Sequence, residues 1–334
     1  MKEDKSDYIL AIDAGQSETS CLIGLPDGSL MSSGLSGPSA VPNVKLAEPM
    51  LRQAFTSSVN NALDTISPRP KKVAAAYLSL TGGIPIALKI LPEIIQVDRI
   101  KAESDAVAAL ACGTYGGPGI ALLSGTGSVA YIQNTQGIGK VIGGWGYLLG
   151  DEGSGFWIGM EAVRATIRAE DGRGPATPFT QEVMEQLRVM DMRQAQVSIY
   201  NEAITRPEIA RLSLLVIKAA QANDPLAQDI IKRACQELFR LLKATCNSAA
   251  FTQPIEKVIV LTGGILHADS PIFIGLTKII EQELPSYKVI LPQFPPVVGA
   301  FILGIILAGV KVTPETISRI EETLPKLPAH HLKV

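Results

Sequence analysis

The chain starts the same local pattern twice. Residues 8–12 form a short apolar run that ends in Asp13-Ala14-Gly15-Gln16-Ser17. A second run, residues 21–25, leads into Pro26-Asp27-Gly28, a strong hairpin signal, and a third strand is expected over residues 29–33. At Gly119 the pattern begins again: apolar residues 120–123, a loop Ser124-Gly125-Thr126-Gly127-Ser128, strands at 129–132 and 139–142, and a turn at 134–137 between them. The spacing from loop to turn is nearly the same in both copies. Two strand–loop–strand hairpins about 110 residues apart point to a duplicated core, one per domain, with the boundary at the Gly116-Gly117-Pro118 hinge.

Between and after the hairpins the periodicity changes. Leu51, Phe55, Val59, Leu63 and Ile66 recur at three- and four-residue steps and predict a helix over 46–66. Residues 73–80 are continuously apolar, as in a strand buried on both faces, and end at Thr81-Gly82-Gly83. A helix over 84–96, a short strand over 99–102 and an Ala-rich helix opened by Ser104-Asp105 follow. A helical region is expected over 156–250, broken at Asp224-Pro225, an N-cap followed by a first-turn proline. Residues 257–261 predict a strand ending in Thr262-Gly263-Gly264, and 289–291 a last short one. Helices are expected over 297–308 and 313–324. Strands alternating with helices make this an α/β chain.

Composition removes several function classes. Of 334 residues, 46% are hydrophobic and 19% charged, with 30 basic against 32 acidic residues, so the chain is neither a disordered segment nor a basic nucleic-acid binder. The longest uncharged apolar stretch, 297–310, is shorter than the roughly 20 residues a bilayer span takes and contains glycines; a buried helix is expected, and no membrane association. The charged start of the chain lacks an apolar signal segment. Cys21, Cys112, Cys235 and Cys246 are scattered without a C-x-x-C pair, which reads as reduced, buried thiols in a cytoplasmic protein. Only three histidines exist, His267, His330 and His331, so histidine chemistry has little to work with.

Glycine is concentrated: 14 of 30 lie between Gly113 and Gly155. Three glycine loops end three apolar strands, at 13–17, 124–128 and 262–264. Runs of free backbone N–H groups in such loops cradle anions, and the hydroxyls of Ser17, Ser124, Thr126 and Ser128 offer further donors to phosphate oxygens. None matches G-x-x-x-x-G-K-[ST] or a helix-opening G-x-G-x-x-G, so hairpin loops would hold the phosphates. Asp105 is either a simple helix-capping acid or a base kept ionised by the helix N-terminus. Trp145 is either a core anchor or a wall for a ligand. Asp151 and Glu152 are either a metal pair or acceptors for ligand hydroxyls. His267 reads as a surface or cap residue.

Taken together, Ser104-Asp105-Ala106, Leu123-Ser124-Gly125-Thr126-Gly127-Ser128 and Gly143-Gly144-Trp145-Gly146 through Gly150-Asp151-Glu152-Gly153-Ser154 resemble the N-acetylglucosamine kinase family. That family lies in the BadF/BadG-type branch of the actin–hexokinase superfamily, and the resemblance spans about residues 8–308. It implies two ribonuclease H-like α/β domains with an interdomain cleft, the second enlarged by helices: 1–117 with 297–334, and 118–296. It implies ATP and Mg²⁺ as cofactors, a small sugar as the partner, and a homodimer. The activity implied is phosphorylation of an amino sugar, N-acetyl-D-glucosamine at its 6-hydroxyl foremost; other amino sugars and glucose stay open.

Residue by residue, the resemblance makes Asp105 the base and places Asp13 on Mg²⁺ through water. Gly15, Gln16 and Ser17 form a first phosphate loop and Gly125, Thr126 and Gly127 a second, while Gly263, Gly264 and Ala210 lie near the nucleotide. Asn43, Thr81, Gly82, Ser128, Trp145, Gly146 and Asp151 contact the sugar. The chain departs from the family where Ala14 and Gln16 replace consecutive glycines, which leaves less room for a phosphate. Two rival activities remain: an activator ATPase that serves a partner enzyme through a cysteine-held iron–sulfur cluster, and a non-catalytic sugar sensor.

Overall fold

The computed structural model describes residues 7–16, 18–39, 44–248 and 256–328. The chain divides into two compact units, residues 1–117 with 292–334, and residues 118–291. The second unit ends at Leu291, where the sequence reading put the boundary at residue 296.

The first unit opens with an antiparallel meander, β1 (Ile9–Ala14), β2 (Thr19–Gly24) and β3 (Leu30–Ser36). After α1 (Val44–Leu63) the chain returns as β4 (Lys72–Leu80), parallel to β1; α2 (Ile84–Ile94) then leads to β5 (Gln96–Ser104), parallel to β4. The sheet order is β3-β2-β1-β4-β5, and α3 (Asp105–Thr114) starts directly from the end of β5. Along β1 the side chains alternate between two cores. Leu10 and Ile12 join Phe55, Val59 and Leu91 on one face, while Ile9 and Ala11 join Val298, Phe301 and Ile302 on the other. Burial on both faces explains why β1 and β4 read as continuous apolar runs. β5 is longer than the expected 99–102 and α2 correspondingly ends earlier. It is an edge strand bearing Asp98, Arg99, Lys101 and Glu103, charges that guard an open edge and hide the strand pattern.

The second unit repeats this plan. β6 (Gly119–Ser124), β7 (Ser128–Gln133) and β8 (Gly139–Gly143) form the meander. Then come α4 (Gly155–Glu170), α5 (Pro178–Leu187), α6 (Met192–Tyr200), α7 (Arg206–Gln221) and α8 (Pro225–Cys246) before β9 (Val258–Thr262), parallel to β6. The last strand, β10 (Lys288–Ile290), follows α9 (Pro271–Glu283). The order β10-β9-β6-β7-β8 is that of the first sheet, strand for strand. The Asp224 carboxylate caps α8 by accepting from Leu226 N and Ala227 N at 3.0 and 2.9 Å. Helix α9 falls where the sequence reading assigns nothing. Its signals are present: the Ser270 hydroxyl caps it, Pro271 opens it, and Ile272, Leu276 and Ile280 are buried at four-residue steps.

The chain then returns to the first unit as α10 (Pro296–Leu307) and α11 (Pro314–Thr323). Val297, Val298, Ala300, Phe301, Ile302 and Ile305 of α10 are all buried, against β1, β4 and α3. That burial accounts for the uncharged stretch; among the described residues no helix is long and apolar enough to cross a membrane.

Candidate active site

In the first unit the chemistry gathers where three parallel strands end. Register sets Asp13 at the end of β1 opposite Ser79 on β4, and Leu80 opposite Ser104 on β5. The Ser79 hydroxyl donates to Asp13 Oδ1 at 2.6 Å. Beyond β4, Thr81 donates its hydroxyl to Asp105 Oδ2, and Ser104 donates to Asp105 Oδ1, each at 3.1 Å. Ser104 is also the N-cap of α3, accepting from Ala106 N at 3.4 Å. Asp105 is therefore gripped at both oxygens, with the first turn of a helix behind it.

Burial decides the proton affinity of these acids. It pushes Asp13 up to about 7, against the Ser79 hydrogen bond, and the Asp105 and Glu18 carboxylates add to the rise. Burial also raises Asp105, with Thr81 and Ser104 pulling the other way. Desolvation thus outweighs the hydrogen bonds that favour the ionised form. Asp13, near two other carboxylates at this strand end, fits a cation held by few protein oxygens, as Mg²⁺ commonly is.

The described remainder of the first glycine loop, residues 14–16, is compact. Gly15 N donates to Glu18 O at 3.0 Å, and Gly15 O accepts from both the backbone N–H and the hydroxyl of Ser39 at 3.1 Å. Gln16 beside it is half-buried. Gly82 is exposed with open space around it. The expected contacts Ser17 and Asn43 lie outside the described residues.

In the second unit the loop 124–128 is stitched to the segment 151–156. Gly155 N donates to Gly125 O at 2.8 Å and Phe156 N to Thr126 O at 3.3 Å. The hydroxyl of Ser124 donates to Gly153 O at 3.2 Å and that of Ser128 to Glu152 O at 2.9 Å. These two hydroxyls, expected to face phosphate, instead hold the two loops together. Both residues are buried, and of the loop's hydroxyls Thr126 keeps the half-exposed one. Gly127 is needed for the closeness: a Cβ there would stand 2.9 Å from Asp151 Oδ2.

Asp151 sits under this junction at 5% exposure, with a left-handed backbone (φ 61°). Its Oδ1 accepts from Ser128 N at 3.2 Å, and its Oδ2 is ion-paired with Arg206 at the first position of α7. A guanidinium in that place is incompatible with Asp151 and Glu152 forming a metal pair. Arg206 escaped the sequence reading, although an arginine at a helix N-terminus, against the helix dipole, was a visible signal. Trp145 is 75% exposed, as are the neighbouring Leu148 and Leu149 at 79%, so it is no core anchor. Gly146 O accepts from Leu149 N and Gly150 N, closing the loop that carries Trp145.

The third glycine loop is brought alongside the second because β6 and β9 are parallel neighbours, Leu123 opposite Thr262. Gly263 has φ 113°, and a Cβ on it would lie 2.2 Å from Ser124 O. Gly264 next to it faces open space. Ala210 on α7 is half-buried, and its carbonyl accepts from the Ser213 hydroxyl at 2.7 Å beside Gly155. Thus 124–128, 151–156, 206–210 and 263–264 form one cluster, whereas His267 is exposed at a turn beyond it.

This geometry has counterparts. The chain is 28% identical over 303 residues to the N-acetylmuramic acid/N-acetylglucosamine kinase of Clostridium acetobutylicum, covering 89% of this chain and 98% of that one. It is 26% identical over 313 residues to the N-acetyl-D-glucosamine kinase of Dictyostelium discoideum, covering 90% and 98%. A solved structure from Chromobacterium violaceum, assigned as an N-acetylglucosamine kinase, superposes with a TM-score of 0.72 at 25% identity, covering 90% and 99%. With the family model matching residues 10–304, from the first strand through α10, the chain belongs to the BadF/BadG/BcrA/BcrD ATPase family.

Proposed function

We propose that the chain is an ATP- and Mg²⁺-dependent kinase that phosphorylates an amino sugar, N-acetyl-D-glucosamine at its 6-hydroxyl foremost, with Asp105 as the base. Membership of an ATPase family supports the use of ATP, and near full-length relatives named as amino-sugar kinases support the substrate class. The observation that carries the mechanism is the Asp105 carboxylate, held by Thr81 and Ser104 beside Asp13 at the ends of parallel strands.

Phosphoryl transfer is mainly a matter of positioning and charge neutralisation. The sugar O6 forms its bond to the γ-phosphorus as the bond from that phosphorus to the bridging oxygen breaks. ADP leaves, and the hydroxyl proton passes to Asp105. A base whose affinity is raised toward the working pH is well matched to that transfer. Asp13 would help to hold Mg²⁺, which when bound would supply charge neutralisation on the phosphate oxygens. Of the second unit, Gly125, Thr126 and Gly127 line the phosphates in this reading and Gly263, Gly264 and Ala210 flank the nucleoside; of the first unit, the resemblance assigns Gly15, Gln16 and Ser17 to phosphate. Of the sugar contacts that the resemblance assigns, Thr81 and Gly82 belong to the first unit and Ser128, Trp145, Gly146 and Asp151 to the second; the exposed Trp145 ring offers the sugar a face, while the Asp151 carboxylate and the Ser128 hydroxyl serve by holding their loops.

The activator-ATPase alternative needs accessible thiolates. Cys21, Cys112 and Cys235 are buried and Cys246 half-buried, and burial pushes each thiol up, Cys112 to about 12 and Cys235 to about 11. The deciding experiment is ADP release across a panel of amino sugars and hexoses with Mg²⁺-ATP, the phosphorylated position then read by NMR. N-acetyl-D-glucosamine 6-phosphate is the expected product; ADP release that no sugar stimulates overturns the reading.

A further inference from the structure

Two local preferences are broken to make one ion pair. Arg206 occupies the first position of α7, where the helix dipole disfavours a cation. Its partner Asp151 adopts a left-handed backbone, a conformation uncommon for a residue with a side chain. Such violations concentrate at functional sites, where a tertiary requirement outweighs local propensity.

The pair joins three pieces of chain. Arg206 is anchored by its own helix start, a capping box in which Thr205 N donates to Glu208 Oε2 at 2.7 Å. Its guanidinium carbon lies 4.9 Å from the Tyr147 ring centre and 5.6 Å from that of Phe156, two rings that meet edge to face at 5.1 Å. Tyr147 belongs to the loop that carries Trp145, and Phe156 opens α4 beside the phosphate loop. Arg206 Nε is buried without a hydrogen-bond partner, so the group is held by the rings and by Asp151. Asp151 in turn accepts from Ser128 N at the end of the phosphate loop. One side chain therefore touches the Trp145 loop at both Tyr147 and Asp151 while standing on the helix that carries Ala210.

Building on the sugar-kinase reading, we propose that Arg206 is a positioning residue: it clamps the Trp145 loop onto the phosphate loop and so sets the sugar site. It touches no reacting atom. Its effect reaches the sugar through the placement of Trp145 and Gly146. A planar guanidinium can bind the carboxylate and lie against both rings at once, which an ammonium cannot.

The test compares the unmodified protein with Arg206→Lys and Arg206→Met, each also in a Trp157→Phe background so that Trp145 is the sole tryptophan. In both variants the KM for the sugar should rise about tenfold while that for ATP stays within about twofold, a loss of sugar binding as opposed to nucleotide binding. Acrylamide quenching of Trp145 without ligands should change in the same variants, because the loop is no longer held. Removing one partner of a buried pair can unfold a domain, so if the methionine variant fails to fold, the lysine variant decides alone. An unchanged sugar KM and unchanged quenching in folded variants overturns the proposal, as does a rise in ATP KM equal to that for sugar. If even the unmodified protein phosphorylates no sugar, the kinase reading fails, whereas the quenching still reports whether Arg206 holds the loop.

Discussion

Asp13 and Ser79 face each other across the parallel β1/β4 pair, and the serine hydroxyl donates to the carboxylate at 2.6 Å. That bond favours the ionised acid, yet burial and two neighbouring carboxylates push Asp13 up to about 7 from the ordinary 3.8. The carboxylate is placed where a cation would relieve it. Its unusual affinity makes the native state sensitive to pH.

The sign follows from linkage. Between 3.8 and about 7 the unfolded chain loses the Asp13 proton while the folded chain keeps it. Native stability from this residue is complete below that window and is lost as pH rises through it. Asp13→Asn should therefore melt higher than the unmodified protein at pH 8 in metal-free buffer, with the gap closing as pH falls toward 4. A gap that stays constant across that range contradicts the assignment.

Asp105→Asn should lower kcat by about 10²–10⁴ or more while leaving the KM for ATP nearly unchanged. The raised affinity of Asp105 predicts an acidic limb in the rate profile, kcat/KM climbing as pH rises through its titration, and the asparagine variant should lose that limb. Steady-state kinetics from pH 5 to 9 would check both.

Thr81→Val removes a donor to Asp105 Oδ2, 3.1 Å away, whereas Thr81→Ser keeps it. A hydrogen bond to a charged group is worth about 1.5–3 kcal/mol, so the valine variant should lose activity chiefly on the acidic side of the profile. Its acidic limb should move to higher pH, since the ionised form loses support. Serine should restore both.

Adjacent glycines separate backbone need from ligand need. Gly263→Ala puts a Cβ 2.2 Å from Ser124 O at φ 113° and should destabilise the protein by several kcal/mol. Gly264→Ala meets nothing within 4 Å and should melt within about 1 °C of the unmodified protein. Any loss in the second variant should appear in the KM for ATP, measured by ADP release.

Much of this molecule was legible before folding. The repeated hairpins, the apolar runs of β1 and β4, the Asp224-Pro225 start of α8 and the buried α10 all follow from short-range rules: period, cap and turn. The gaps have physical causes too. Edge charges conceal the length of β5, whereas α9 carries readable signals in Ser270-Pro271 and in Ile272, Leu276 and Ile280.

For the site, sequence by itself determined which residue types stand at strand ends: Asp13, the 124–128 loop, Thr81, Asp105 and Gly263. Only the tertiary structure decided what they do there. It turned the Ser124 and Ser128 hydroxyls inward to Gly153 and Glu152, raised Asp105 against its hydrogen bonds, left Trp145 exposed and brought Arg206 to Asp151. The reason is range. Propensity acts within a few residues, whereas burial and hydrogen-bond partners are set by chain tens of residues away, and burial governs the strength of a charge.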